Sequence, residues 1–343
     1  MALTRMRARL TVVRWLLFVF ALAITAHADT VVIDEGFEEL NLGKHLELAY
    51  DPTGEATIDD VLAGKLQFTP STKDVPNFGY RKGAEWARVE LDDRRRDADR
   101  LVLRLAYAQT DSFDVYDGAG QPIGRAGDHV PLVEWKVSFR EPAVFVYPHA
   151  PRLIVRVGGG AVHQLPLSLQ TPRWLENHRV SDTGVEAAYF GALVAMAAYN
   201  FLVWFAVKDA LYLQYVAFLV AYGVFQTGLA GFGFRLLWPG QIGFADRIVP
   251  SGIGFVGICS SLFAMRLLET QKVAPRFNKV GRFVVASLTL HQLVAWLGPY
   301  NLAMRIVIAV ASVWAVFLIG SGVVSSRSSR IGRIFLGAWL AFM

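Results

Sequence analysis

The sequence predicts a multi-domain chain in which an all-β sandwich outside a membrane is followed by an all-α transmembrane bundle. Three observations predict it. Hydrophobic residues make up 54% of the 343 positions, and a mean hydropathy of +0.36 is too apolar for an ordinary soluble protein. The apolar residues gather into long uninterrupted runs only from about residue 185 onward, whereas earlier they occur in short alternating runs between Gly, Pro and Asp turns. Basic residues divide unequally between the two sides of those long runs. The net charge of +5 is explained by this topology, and no nucleic-acid partner is expected.

At the N-terminus, Arg5, Arg7, Arg9 and Arg14 lead into the apolar run 15–24, then Thr25-Ala26-His27-Ala28 before Asp29. Basic, hydrophobic, small-x-small is the order of a cleavable secretory signal, and ten apolar residues are short for a spanning helix. Residues 1–28 are therefore expected to be removed and the next domain exported, to the periplasm in a bacterium.

Residues 29–180 are expected to form that outer head. Strand candidates are 46–50, 65–69, 86–91, 101–108, 113–116, 143–147, 153–157 and 163–169, the spacing of an all-β sandwich. Turns are expected at 117–120, 124–128 and 158–160, and the mixed-charge run 92–100 as an exposed connection. Alternation assigns faces. Ala87, Val89 and Leu91 point to the core and leave Trp86, Arg88 and Glu90 outward; Leu101, Leu103, Leu105 and Tyr107 point in and Arg104 out; Phe113 and Val115 point in, Asp114 and Tyr116 out. An aromatic ring among paired charges on one sheet face suits a polar or sugar-like ligand, the ring stacking and the charges directing hydrogen bonds. The default alternative is a solvated face with one cross-strand ion pair and a tryptophan at the domain edge.

No catalytic residues are expected. His45, His129, His149 and His163 lack metal-ligand spacing, no nucleophile arrangement has a supporting context, and the lone Cys259 lies in an apolar run. No metal site, cofactor, disulfide or enzymatic activity is expected in the chain.

Residues 181–343 are expected to form the bundle, with spans at 185–207, 210–233, 248–268, 283–297 and 302–324 and a sixth beginning at Ile334. An outer head puts Lys208, Lys272, Arg276, Lys279, Arg282, Arg327, Arg330 and Arg333 inside, against Arg235, Arg247 and Arg305 outside, an eight-to-three division that obeys the positive-inside rule. Within the spans, Asn200, Gln214, Gln226 and His291-Gln292 are polar and are expected to join helices; Tyr199, Asn200, Gln226 and His291 are the candidates for packing or relay. Gly254, Gly257, Ser261 and Ala264 form a seam of small residues for close helix approach. No complete span carries an interior Lys, Asp or Glu, which argues against a retinal pump or an ion-coupled transporter.

The bundle resembles a bacterial family, the seven-transmembrane receptors with diverse intracellular signalling modules, in Ala198-Tyr199-Asn200-Phe201, Lys208-Asp209-Ala210-Leu211-Tyr212-Leu213-Gln214-Tyr215, Gly231-Phe232-Gly233, Leu237-Trp238-Pro239 and Phe263-Ala264-Met265-Arg266-Leu267-Leu268. The head is similar to that family's type 2 extracellular domain in Leu48-Ala49-Tyr50-Asp51, Ala84-Glu85-Trp86-Ala87-Arg88, Phe113-Asp114-Val115-Tyr116, Leu153-Ile154-Val155-Arg156-Val157 and Leu165-Pro166-Leu167. The resemblance implies a jelly-roll head like carbohydrate-binding modules and a bundle that relays its state to a cytoplasmic signalling module, in cis or in trans, such as a diguanylate cyclase or histidine kinase. It further implies residence in the inner membrane. The chain stops ten residues into its sixth span, and a truncation is expected. Expected partners are the lipid bilayer, a small-molecule or carbohydrate ligand, the signalling module and a second copy of the chain. The alternative is a membrane-tethered carbohydrate-binding or scaffolding protein without output.

Overall fold

The computed structural model describes residues 29–96, 99–160, 162–327 and 329–342. The expected secretory signal, residues 1–28, lies outside the described residues. The head contains strands β1 (Val31–Ile33), β2 (Glu39–Asn41), β3 (Glu47–Asp51), β4 (Thr69–Pro70), β5 (Asn77–Tyr80), β6 (Ala84–Asp93), β7 (Leu101–Leu105), β8 (Ser112–Asp117), β9 (Pro122–Ala126), β10 (Ala143–Val146), β11 (Arg152–Gly158), β12 (Val162–Gln164) and β13 (Leu167–Gln170). A large sheet runs β4-β3-β6-β11-β8-β9 with β1 parallel to the end of β6, a second runs β10-β7-β13-β2, and β12 pairs with β5. The inward residues Ala87, Val89, Leu91, Phe113 and Val115 of the first sheet meet Leu101, Leu103, Leu105, Leu167 and Leu169 of the second in one core. This is the sandwich the alternation predicts.

Three local expectations are corrected. Residues 65–69 do not form a strand beyond Thr69. They follow a short helix, α1 (Ile58–Leu62), whose start is fixed by reciprocal Thr57 and Asp60 capping bonds. The alternating Leu66 and Phe68 lie over the outer face of the large sheet, against Trp86, without pairing to an edge. The expected strand 163–169 is two strands, because Pro166 cannot donate to a ladder and the chain changes sheets there. The expected turn 124–128 is mostly strand β9, and the left-handed backbone is confined to Gly127 (φ 134).

The charged run after β6 is not wholly exposed either. Arg95 and Asp93 form a bidentate pair whose side chains are 8% and 3% exposed. The Arg95 guanidinium, aided by the His149 N–H, holds the Asp93 carboxyl down to about 2. A carboxyl near 3.8 unfolded and about 2 folded stabilises the fold above pH 4, and that stability is lost as pH falls through 2. Acid titration of stability should therefore show a drop on the order of 2 kcal/mol between pH 4 and 2. The drop should be absent in Asp93→Asn, and an identical acid limb in the variant would refute this assignment.

The bundle comprises α2 (Pro172–Val207), α3 (Ala210–Leu229), α4 (Ile242–Leu267), the short α5 (Thr270–Val273), α6 (Pro275–Leu297), α7 (Tyr300–Ser326) and α8 (Arg330–Phe342). Five of these, α2, α3, α4, α6 and α7, are long and apolar enough to cross a membrane. Helix α2 begins one residue after the Thr171 cap and continues unbroken through residue 180, so head and bundle are joined by helix. Its end is set by Lys208 in the left-handed region (φ 59), and Asp209 caps α3 by accepting from the Leu211 N–H. Gly254 and Gly257 of the small-residue seam abut Gln292 and Leu288 of α6, where a Cβ would lie 2.0 and 2.6 Å from side-chain atoms.

Candidate functional site

Cross-strand register brings five of the six candidate head residues to one face. Arg88 lies opposite Glu47 and Ile154, Trp86 opposite Arg156 and Ala49, and Arg156 opposite Asp114. Tyr116 and Glu90 complete the row, so Trp86, Arg88, Glu90, Asp114 and Tyr116 share the outer surface of the large sheet. The charges pair across strands: Arg88 with Glu47, Arg152 with Glu90, and Asp114 with both Arg125 (3.3 Å) and Arg156 (3.6 Å). Burial raises the Asp114 carboxyl above its ordinary range despite those two arginines, and burial also raises Tyr116. Grooves flank the row. One of about 480 Å³ is lined by Asp114, Tyr116, Arg125 and Lys136, and one of about 610 Å³ by Glu90, Asp117, Tyr147 and Arg152.

Trp86 corrects the face assignment. It has the expected parity but no exposed surface: Ala49, Val61, Ile154 and the α1 segment cover it in a small second core. Its ring stacks with Tyr116 at 6.2 Å between centroids, with the Arg156 guanidinium 5.9 Å away. The indole supports Tyr116 and Arg156 from below and offers no open stacking surface itself.

Arg104 belongs elsewhere. It lies on the outer face of the second sheet, where its Nε donates to Glu141 at 2.5 Å. Glu141 also pairs with Arg140 (3.3 Å), and Arg140 reaches Glu186 and, at 3.9 Å, Asp182, both on α2. A chain of charges therefore runs from β7 into the first membrane helix.

The segment between α3 and α4 makes a second attachment. Phe234 enters the sandwich core, and Trp238, Ile242 and Ala245 pack against that core. Arg235 donates to the Phe139 carbonyl and, at 2.9 Å, to Ser138. Beside it lies a polar junction that the sequence pattern does not reveal. His129 Nε2 bonds Asp246 on α4 at 2.8 Å, while Asp111 accepts from Gly160 N–H at 2.6 Å. The Tyr80 hydroxyl of the head bonds Tyr300 of α7. The Asp246 bond, opposed by burial and helped by Asp111, raises His129 to about 9; burial and then Asp111 raise Asp128 to about 8. The local signal is an acid-imidazole pair after a turn glycine, but its partners Asp111 and Asp246 are distant in sequence.

Among the bundle candidates, His291 is buried and its Nε2 bonds the Ala303 carbonyl of α7 at 3.0 Å. Gln292 bonds Ser251 of α4, which also accepts from Trp296. The other expectations change. Asn200 donates to Met196 O of its own helix at 2.8 Å, and Tyr199 is 66% exposed, so among the described residues Asn200 spends its donor within α2 and Tyr199 presents most of its surface outward. A side chain four residues from a carbonyl on the same helix satisfies its own donor. Gln226 is half-buried on α3.

Residues 182–343 match the family model for the 7TM diverse intracellular signalling domain. Residues 43–171 match that for the extracellular 2 domain of the same family. No curated protein matches the chain.

Proposed function

The chain belongs to the seven-transmembrane family with diverse intracellular signalling and carries that family's type 2 extracellular domain, and from that premise we propose that its head binds a small, carbohydrate-like ligand and signals through α2. A multi-pass membrane protein of a sensor family, with an extracellular β domain, provides the frame. The ligand face is the row Arg88, Glu90, Asp114 and Tyr116 with its flanking grooves. The observation that carries the reading is the ion-pair chain Arg104–Glu141–Arg140–Glu186, because it ties the sheet opposite that face directly to the first membrane helix. A ligand preferring one head arrangement then biases the position of α2, by no more than its differential affinity for the two states. The output is a cytoplasmic signalling module, in cis or in trans, and the setting is a bacterial inner membrane with the head in the periplasm. A second copy of the chain alongside the exposed face of α2 fits the same reading.

Full-length protein in lipid nanodiscs, screened by thermal shift against a panel of mono- and oligosaccharides, tests this. At least one sugar should stabilise the wild type, and Asp114→Ala and Tyr116→Ala should each weaken that binding at least about tenfold, the loss of one charge-assisted or stacking contact. Stabilisation unchanged in both variants eliminates this face, and a panel without effect eliminates the ligand class.

A further inference from the structure

The junction between head and bundle gathers more acids than its one histidine can balance. Asp111, the Gly127-Asp128-His129 turn and Asp246 of α4 place three carboxylates around one imidazole, and among the described residues no Lys or Arg pairs with any of them. Carboxylates withdrawn from water need a cation nearby. One ligand atom each from Asp111, Asp128 and His129 lie within 4.8 Å of one another, close enough to share a single ion.

Two further observations point to such an ion. Asp128 Oδ1 is sealed from solvent with no hydrogen-bond partner among the described residues, and so is Asn301 Oδ1, at the start of α7 beside Gly160, whose N–H holds Asp111. Buried acceptors are rarely left unmet. The imidazole is also oriented for coordination. Nε2 faces Asp246 at 2.8 Å and Nδ1 faces Asp111, 3.9 Å from Oδ2, so with Nε2–H donating to Asp246 an ion that displaces the second ring proton would meet the Nδ1 lone pair on the Asp111 side. A carboxylate that fixes the tautomer of a histidine, whose other nitrogen then meets a metal, is the usual support for such ligands.

We propose that Asp111, Asp128 and His129 bind a first-row divalent cation, Zn²⁺ or Mn²⁺, with Asp246 orienting the histidine. Two carboxylates with an imidazole suit these ions better than Ca²⁺, which favours six or more oxygens. The three ligands belong to the head and the orienting acid to α4, so the ion clamps the head onto the outer end of the bundle.

The test uses full-length protein without a histidine tag, stripped with EDTA and equilibrated by dialysis against ZnCl₂ or MnCl₂, with bound metal measured by mass spectrometry. The wild type should take up one ion per chain and gain thermal stability with metal. Asp128→Asn and Asp111→Asn, which keep shape and remove charge, should each lose the ion or bind it at least about tenfold more weakly. No stoichiometric uptake of either metal by the wild type overturns the site. Uptake unchanged in both variants also overturns it, since the ion then lies elsewhere; if one variant fails to fold, the other and the wild-type stoichiometry decide.

Discussion

Trp86→Ala should destabilise the head by about 3–5 kcal/mol, the cost of deleting a large aromatic from a closed core. The ring is 0% exposed and fills the space between the large sheet and α1, in contact with Ala49, Val61 and Ile154. Little can collapse into the void, because Tyr116 and Arg156 rest on the same ring. Trp86→Phe separates packing from polar effects. The indole Nε1 has no partner among the described residues, so phenylalanine removes an unmet donor together with some area, and a cost under about 2 kcal/mol is expected. Denaturant melts of the full-length chain, with hydrogen exchange read in β6 and β11, measure both. A Trp86→Ala protein with wild-type stability and protection in those strands would mean that the indole does not hold α1 against the sheet.

Strand β6 shows how much of the head is legible in the sequence. A strand with one face on the core must alternate, and Ala87, Val89 and Leu91 do, so parity alone groups Trp86, Arg88 and Glu90 on the opposite face. Parity describes one strand on one sheet. It carries no information about what another segment lays over the outer face, and so the cover of Ile58, Leu66 and Phe68 is invisible to it; Leu66 and Phe68 alternate like a strand because they too pack on a flat sheet. The membrane spans are legible because hydrocarbon imposes a length and a polarity on each helix independently of its neighbours. The attachment of head to bundle is not. Arg104, Glu141 and Glu186, or Asp111, Asp128 and Asp246, acquire meaning only when segments far apart in the chain converge, and a charged residue at the surface of its own element has the same local pattern whether it meets water or a partner.

Gly231→Ala should disrupt that attachment at a single atom. Gly231 is buried where α3 gives way to the segment carrying Phe234 into the sandwich core. Its φ is +79, and an added Cβ would lie 2.7 Å from the Arg140 carbonyl oxygen and 2.8 Å from Ala108 Cβ. Both neighbours are in the head, and one belongs to Arg140, whose side chain pairs with Glu186 of α2. The left-handed backbone alone costs a non-glycine residue about 1–2 kcal/mol, and forced overpacking adds about 1–3 kcal/mol. Gly240 supplies the control, since its φ is +71 but nothing lies within 4 Å of its added Cβ. Gly240→Ala should therefore show only the backbone cost, while Gly231→Ala should lose about 2–5 kcal/mol. The loss at Gly231 should appear as faster hydrogen exchange in residues 231–241 and 138–141 together, because relieving the clash means withdrawing the loop from the head. Equal effects from the two substitutions would show that the head does not sit tightly on this loop, and the ion-pair chain through Arg140 would then have to tie the head to α2 without the support of the Phe234 plug.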